Sequence, residues 1–305
     1  MVATITLEST NGDSVVVSGA RSKWDAANYI DDDIVLDVDP QGMYDTAFTL
    51  RTQSGAFENG GRVVGIEVPI REPILPFWLT PETRPRFQRL WGTPGNFHKV
   101  KATWDSPNQD ESGPRWLWLR LAKEIVYTTE DGFDADIDDI YHAVVSTLAL
   151  NPNYESAENV QEWTGPGTGW FEVWNPTDQP LWLEWTFDPA EEWRFPDFGF
   201  GQERKWRRPV GSDAARMIIT PELTQMLSVM VDPMMDTYVN ADLSNAAALF
   251  GGVEPVYAVP PYTGTEDDPV LLPVQCSTEG AKVTLRQRRF WSAESGLELP
   301  PGSGL

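Results

Sequence analysis

Apolar and polar residues alternate over short stretches from the start of the chain, the signature of strands with one buried face. Ala3 to Leu7 alternates, Asn11-Gly12-Asp13 supplies hairpin-turn chemistry, and Val15-Val16-Val17 returns. Ile34 to Val38 follows the acidic triplet Asp31-Asp32-Asp33, and Phe48-Thr49-Leu50-Arg51-Thr52 leads through Asn59-Gly60-Gly61 into a strand pattern from Arg62 to Ile70. Residues 71–115 are punctuated by prolines and gather Arg84, Arg86, Arg89, Lys99 and Lys101; Trp116 to Leu121 then reads as a strand. Over 136–150 the period changes. Ile137, Ile140, Tyr141, Val144, Val145 and Leu148 recur at spacings of three and four, which predicts a helix. Asp134, Asp136, Asp138 and Asp139 would complement its N-terminal dipole, and Asn151-Pro152 would stop it.

Strands return beyond residue 151. Trp170 to Trp174 is followed by a turn through Asn175-Pro176-Thr177-Asp178-Gln179-Pro180, and the alternation of the next run places Leu181, Leu183, Trp185 and Phe187 on one face. Met217-Ile218-Ile219, Met226 to Val231, Val270 to Val274 and Ala281 to Arg286 read as strands, and Leu243 to Phe250 as a short helix or turn. The pattern predicts a mostly β chain: an N-terminal β-barrel or sandwich with one helix over 1–150, and a second β domain over 151–305. The cut falls at the turn-rich Asn151-Pro152-Asn153.

Charge narrows the function classes. Against 46 acidic residues stand 23 basic ones, a net charge of −23. Such a surface repels nucleic acid and anionic membrane, so a sequence-specific DNA binder is not expected. A single cysteine, Cys276, excludes an internal disulfide and a Cys-rich zinc site, and two histidines, His98 and His142, leave little for a His-based centre. Met1 to Ser9 has no basic or apolar segment of a signal peptide, and no apolar run approaches a membrane span. Synthesis in the cytoplasm without membrane insertion is the expectation.

The candidate chemistries each meet a plainer reading. Asp134-x-Asp136-x-Asp138 opens like a calcium loop, but the required Gly and Glu positions hold Asp139 and Val145. Seven of the 14 tryptophans lie between Trp163 and Trp206 among Glu172, Glu184, Glu191 and Glu192, a cluster that a glycoside hydrolase or carbohydrate-binding module could use. Aromatics on an alternating strand are first of all core. No Gly-x-Ser-x-Gly elbow, P-loop or dinucleotide-binding glycine pattern is present, and Cys276 has no partnering motif. The chain is read as no enzyme, with no cofactor and no metal. Arg204-Lys205-Trp206-Arg207-Arg208 and Arg286-Gln287-Arg288-Arg289-Phe290-Trp291 interleave bases with aromatics; on so acidic a background they are expected to pair with acids of a neighbouring subunit or domain rather than with nucleic acid.

From Gly169 the chain resembles a known family. Trp170-Phe171-Glu172-Val173-Trp174-Asn175-Pro176-Thr177-Asp178-Gln179-Pro180 is similar to the strand, Asn-Pro, strand opening of the C-terminal domain of distal tail proteins of long-tailed phages. Pro260-Pro261-Tyr262-Thr263 with Leu272-Pro273-Val274, and Arg289-Phe290-Trp291-Ser292, resemble the ending of minor tail proteins of actinobacterial phages. After Phe187, where that family has a Gly and a short turn, this chain carries Asp188 to Phe200. The resemblance implies a tail-tube-like β-domain over 1–150 and an outward-projecting galectin-like β-sandwich over 151–305. It further implies a virion protein of the tail tip, six copies forming a ring that joins the tail tube to the hub. Tail tube, tape measure and hub proteins would be its partners, DNA would pass through the lumen without specific binding, and a host-surface glycan would be a further contact. On this reading Trp170, Trp174, Trp182, Trp193 and Trp206 are interface or glycan-contact aromatics, and Arg84, Arg86, Arg89, Lys99 and Lys101 are intersubunit bases. Asp31, Asp32, Asp33, Asp37, Asp39 and Asp45 against Arg21, Lys23, Arg51 and Arg62 would give the first domain a wall that does not grip phosphates.

Overall fold

The alternating pattern becomes strand almost everywhere. The computed structural model describes residues 3–18, 34–57, 59–93, 95–106, 113–128 and 140–299. The chain divides into two units, Met1–Ser156 with Trp291–Leu297, and Ala157–Phe290 with Glu298–Leu305.

In the first unit, β1 (Thr4–Ser9) and β2 (Ser14–Ser18) form a hairpin, its turn closed by the Asp13 amide donating to Asn11 Oδ1 at 2.8 Å. There follow β3 (Ile34–Leu36), β4 (Thr49–Gln53), β5 (Arg62–Glu67), β6 (Ile74–Leu79), α1 (Arg84–Trp91), β7 (Gly92–Thr93) and β8 (Asn96–Phe97). β9 (Val100–Asp105), β10 (Arg115–Leu121), β11 (Val126–Thr128), β12 (Tyr141–Leu148) and β13 (Tyr154–Glu155) complete the run. The main sheet runs β2-β1-β9-β10-β12-β6-β3, and its two ends approach each other, so it curls almost into a barrel. Leu7, Val17, Phe77, Val100, Trp104, Leu119 and Val145 fill it, and α1 plugs it with Phe87, Leu90 and Trp91.

The helix expected over 136–150 is instead β12. Tyr141, Ala143, Val145 and Thr147 are buried while their alternates are half-buried, and the strand pairs with β6 from Tyr141↔Leu79 to Ser146↔Ile74. Apolar Val144 and Leu148 also fall on the half-buried face, so spacings of three and four stand beside the period of two; Tyr, Val and Thr then favour the strand. The acids Asp134 to Asp139 lie outside the described residues. The helix sits where prolines obscured it. Pro85 occupies its first turn, where no amide is needed, and Phe87, Leu90 and Trp91 make its apolar stripe. Gly92 ends it at φ 81°, and a Cβ there would stand 2.4 Å from the Asn96 carbonyl oxygen.

The second unit is a two-sheet sandwich. Its strands are β14 (Asn159–Thr164), β15 (Gly167–Val173), β16 (Leu183–Phe187), β17 (Trp193–Pro196), β18 (Met217–Ile219), β19 (Leu227–Met230), β20 (Tyr238–Asn240), β21 (Val270–Cys276) and β22 (Lys282–Gln287). One sheet runs β14-β22-β16-β19-β20 and the other β15-β21-β17-β18. Leu181, Leu183, Trp185 and Phe187 are all buried, as their alternation predicts. A Cβ at Gly169 would meet the Trp163 ring at 2.4 Å, so the bare backbone there is the seat of that indole. The segment from Asp188 to Phe200 is no loose insertion: Trp193 and Phe195 alternate inward, and β17 takes a central place in its sheet. The last strand, β23 (Phe290–Trp291), carries the chain back to β13.

Candidate functional site

Side chains able to do chemistry are scattered or satisfied. Among the described residues no group of three or more His, Cys, Asp and Glu could hold a metal ion. His142 stands on β12 between Thr128, whose Oγ1 lies 2.7 Å from Nδ1, and Asp37, whose carboxylate lies 3.3 Å from Nε2, with Trp78 tilted against its ring. Cys276 is buried, and burial pushes its thiol up.

What stands out is a surface that one copy leaves uncovered. β4 and β5 pair only with each other among the described residues, Leu50 opposite Ile66 and Thr52 opposite Val63. Val63 is 57% exposed and Ile66 65%; Phe48, Leu50, Val64 and Val68 are exposed as well. The polar complement is the Arg51–Glu67 pair at 2.7 Å. A two-stranded ribbon with this much bare apolar surface is poorly stable alone in water, and a patch of this kind marks an interface. The alternation of this ribbon is visible in the sequence; that no described element covers it is not.

Of the five bases expected at a subunit contact, Arg84, Arg86 and Arg89 stand on α1, Lys101 on β9 and Lys99 just before β9. The Arg84 guanidinium lies over the rings of Tyr127 and Tyr141 at 4.6 and 4.9 Å, and Arg86 donates to the Ser14 carbonyl at 2.5 Å. Arg89 stands 3.7 Å from Asp13, and Lys101 stands 3.7 Å from Glu8 and 4.4 Å from the centre of the Trp116 ring. Lys99 is exposed, its carbonyl accepting from the Thr10 amide. The tryptophans divide in the same way. Trp193 is fully buried, donating from Nε1 to the Asp188 carbonyl, and has no surface to offer. Trp182 packs half-buried on the core, and Trp174 carries the Arg289 guanidinium at 4.7 Å. Trp170 on β15, 59% exposed, and Trp206, 46% exposed, remain open, and they stand on separate elements. Of the acids and bases expected to set the character of a channel wall, Arg21, Lys23, Asp31, Asp32 and Asp33 lie outside the described residues.

The loop from Asp197 to Arg216 is a built structure that the sequence pattern does not announce. Buried Asp197 accepts from the amides of Val256 and Tyr257 at 3.1 and 3.0 Å and pairs with Arg216. Desolvation outweighs these bonds and raises its carboxyl above the usual range. Asp213 behaves oppositely: the Tyr257 hydroxyl at 2.7 Å and the Arg208 guanidinium hold it below that range, and the Tyr257 phenol is pushed up to about 12, chiefly by burial. A carboxyl held low in the folded chain stabilises above its unfolded value, near 3.9, and loses that contribution as pH falls through the lower folded value. The acid limb of a melting-temperature profile between about pH 4 and pH 2 is therefore expected to be shallower in Asp213→Asn, with a lower melting temperature at neutral pH. Parallel acid limbs in the two proteins would show that Asp213 does not carry this linkage.

No family model matches the chain, and no curated protein matches it. Among solved structures it is similar to Dit (gp 19.1) of phage SPP1, a paradigm of the hub adsorption apparatus in phages infecting Gram-positive hosts, at TM-score 0.54 and 11% identity, over 93% of this chain and 98% of that one. It is also similar to a chain of the phage P2 baseplate in its activated conformation, with Ca and with Sr, at TM-score 0.43 and 10% identity, over 95% of this chain and 98% of that one. The first likeness fixes the fold: a mostly β, Dit-like chain over nearly its whole length.

Proposed function

We propose that this chain is a structural protein of a phage virion, placed at the tail tip, whose copies form a sixfold ring between tail tube and hub. Its first units line a channel through which DNA passes, and its role is mechanical rather than catalytic. Support comes from the Dit-like fold running through both units and from the hub apparatus to which Dit of SPP1 belongs. The observation that carries the assembly is the β4–β5 ribbon, whose apolar face is bare in a single copy. In a ring each copy offers one patch to a different patch of the next, so a ribbon on one side can be covered without pairing to itself.

Imaging of the tail that contains this protein is the direct test: sixfold density at its position is expected. Threefold or no rotational symmetry, or a channel wall dominated by Lys and Arg, would refute the reading. The ribbon gives a sharper handle. Ile66→Asp sets a charge in the middle of the bare apolar face, so the variant should fail to enter tails while its stability changes by no more than about 0.5 kcal/mol. Normal incorporation would remove the ribbon from the interface.

A further inference from the structure

Six of the ten cations in the second unit are ion-paired among the described residues; half-buried Arg289 makes no ion pair and lies in the field of Glu266. Arg194, Arg208, Arg216, Lys282, Arg286 and Arg288 each hold a carboxylate at ion-pair distance, and Arg289 stacks on Trp174. The remaining bases, Arg204, Lys205 and Arg207, sit together on the 3-10 turn Glu203–Trp206 and the residue after it. All three are exposed, none makes an ion pair among the described residues, and Trp206 stands open between them.

That tip is hydrogen-bonded into the domain; of its three cations only Lys205 is engaged, its Nζ donating to Gln202 Oε1 at 3.0 Å, and none meets a carboxylate at ion-pair distance among the described residues. The base of the tip is the Asp197–Arg216 network, Gln202 Nε2 donates to the Ala258 carbonyl at 2.7 Å, and the Gly199 amide donates to the Asp213 carbonyl at 2.9 Å. Glu203 is buried beneath it, and a Cβ on Gly199 would lie 2.5 Å from the Glu203 carboxylate. Long loops in compact domains are usually functional, and one that fixes three unneutralised cations around an indole is preorganised for an anionic partner. Arg and Trp are also the side chains on which interface energy concentrates.

The same unit carries the complement. Glu266, Asp267 and Asp268 form an exposed acidic run in a turn closed by the Thr265 amide on the Asp268 carbonyl at 3.1 Å and the Asp268 amide on Thr265 Oγ1 at 3.0 Å. Both patches are fully described, and no ion pair joins them within one copy. We propose that the basic tip of residues 204–207 in one copy seats on the acidic 266–268 turn of a second copy. In a ring each copy gives its tip to one neighbour and its turn to the other, a heterologous use of the two patches. The contact deepens the assembly reading above, and it uses neither strand of the apolar ribbon, so the two can fail separately.

Charge exchange tests it on the full chain. Wild-type protein, a tip variant (Arg204→Glu, Lys205→Glu, Arg207→Glu), a turn variant (Glu266→Lys, Asp267→Lys, Asp268→Lys) and the six-fold combination are compared by sedimentation velocity at about 50 mM and about 500 mM salt. The wild type should self-associate at low salt and weaken about tenfold or more at high salt. Each triple variant should lose that association, and the combination should regain it. Zero-length carbodiimide coupling of a mixture of isotopically light and heavy wild-type copies should link Lys205 of one to the 266–268 turn of another. A wild type that stays monomeric at low salt, a tip variant that associates normally, or a folded combination that regains nothing would each overturn the proposal. Retention of the monomeric wild type on a heparin matrix, lost in the tip variant, would overturn it in favour of a polyanion as occupant. Failure of Ile66→Asp to enter tails, with the charge exchange intact, would leave this contact standing.

Discussion

A chain ending at Phe290 is expected to lose the first unit while the second stays folded. The first unit is not contiguous in sequence: Trp291–Leu297 belongs to it, and the last strand returns to β13. Trp291 is fully buried, its Nε1 donating to Ser156 Oγ at 3.0 Å. Arg115, also fully buried, lies 3.6 Å over that indole and donates to the carbonyls of Ala293 and Gly296 at 3.0 and 2.7 Å. Arg71 and the Thr46 hydroxyl donate to the Ser292 carbonyl at 3.2 and 2.6 Å. Truncation removes the indole and strands Arg115 as a buried cation that has lost these acceptors. Emptying a Trp site costs about 3–5 kcal/mol, and each hydrogen bond lost from the charged Arg115 guanidinium costs about 1.5–3 kcal/mol more. Together they approach the whole stability of a domain, about 5–15 kcal/mol.

Hydrogen exchange read by mass spectrometry separates the units. Amides of β9, β10 and β12 should exchange without protection in the truncated chain, while those of β16 and β22 should keep theirs. The converse variant, with residues 157–290 replaced by a short flexible linker, should retain the protected first-unit strands, because Ser156 and Trp291 are already hydrogen-bonded neighbours. Full protection of the first unit after truncation would show that the returning segment only decorates it.

Local pattern determines structure only as far as local physics reaches. Asn11-Gly12-Asp13 makes its hairpin, and the buried face of Leu181 to Phe187 follows from alternation alone. The pattern misleads at β12, where apolar Val144 and Leu148 also fall on the half-buried face, so spacings of three and four stand beside the period of two. It is silent at α1, because Pro85 is as compatible with a first helical turn as with a loop. Nothing near Trp291 in sequence says that it packs with Arg115, a partner far away along the chain. The uncovered ribbon and the unpaired tip are absences of a neighbour; they emerge only when every other described element has been placed.

Trp185→Ala is expected to cost the second unit about 3–5 kcal/mol, whereas Trp170→Ala should stay within about 0.5 kcal/mol. The two indoles sit on strands of one sandwich but differ in what surrounds them. Trp185 is 1% exposed, stacked on Phe187 at 6.1 Å between centres and met edge-on by Phe171 at 5.3 Å. Truncating it leaves a cavity ringed by aromatics that cannot collapse without breaking those contacts. Trp170 points away from the core across from Pro273, and its loss uncovers little. A third variant isolates packing from polarity. The Trp185 indole N–H is buried without an acceptor among the described residues, so Trp185→Phe removes an unsatisfied donor along with part of the ring. Its cost should fall to about 1.5 kcal/mol or less. Urea melts with equal m-values would measure all three changes. Equal losses in Trp185→Ala and Trp170→Ala would mean that Trp170 is covered in the folded chain, and would take away its standing as an open contact aromatic. A Trp185→Phe penalty as large as that of Trp185→Ala would mean that the indole N–H finds a buried partner, a bound water being the simplest, and that polarity as well as ring volume secures this core.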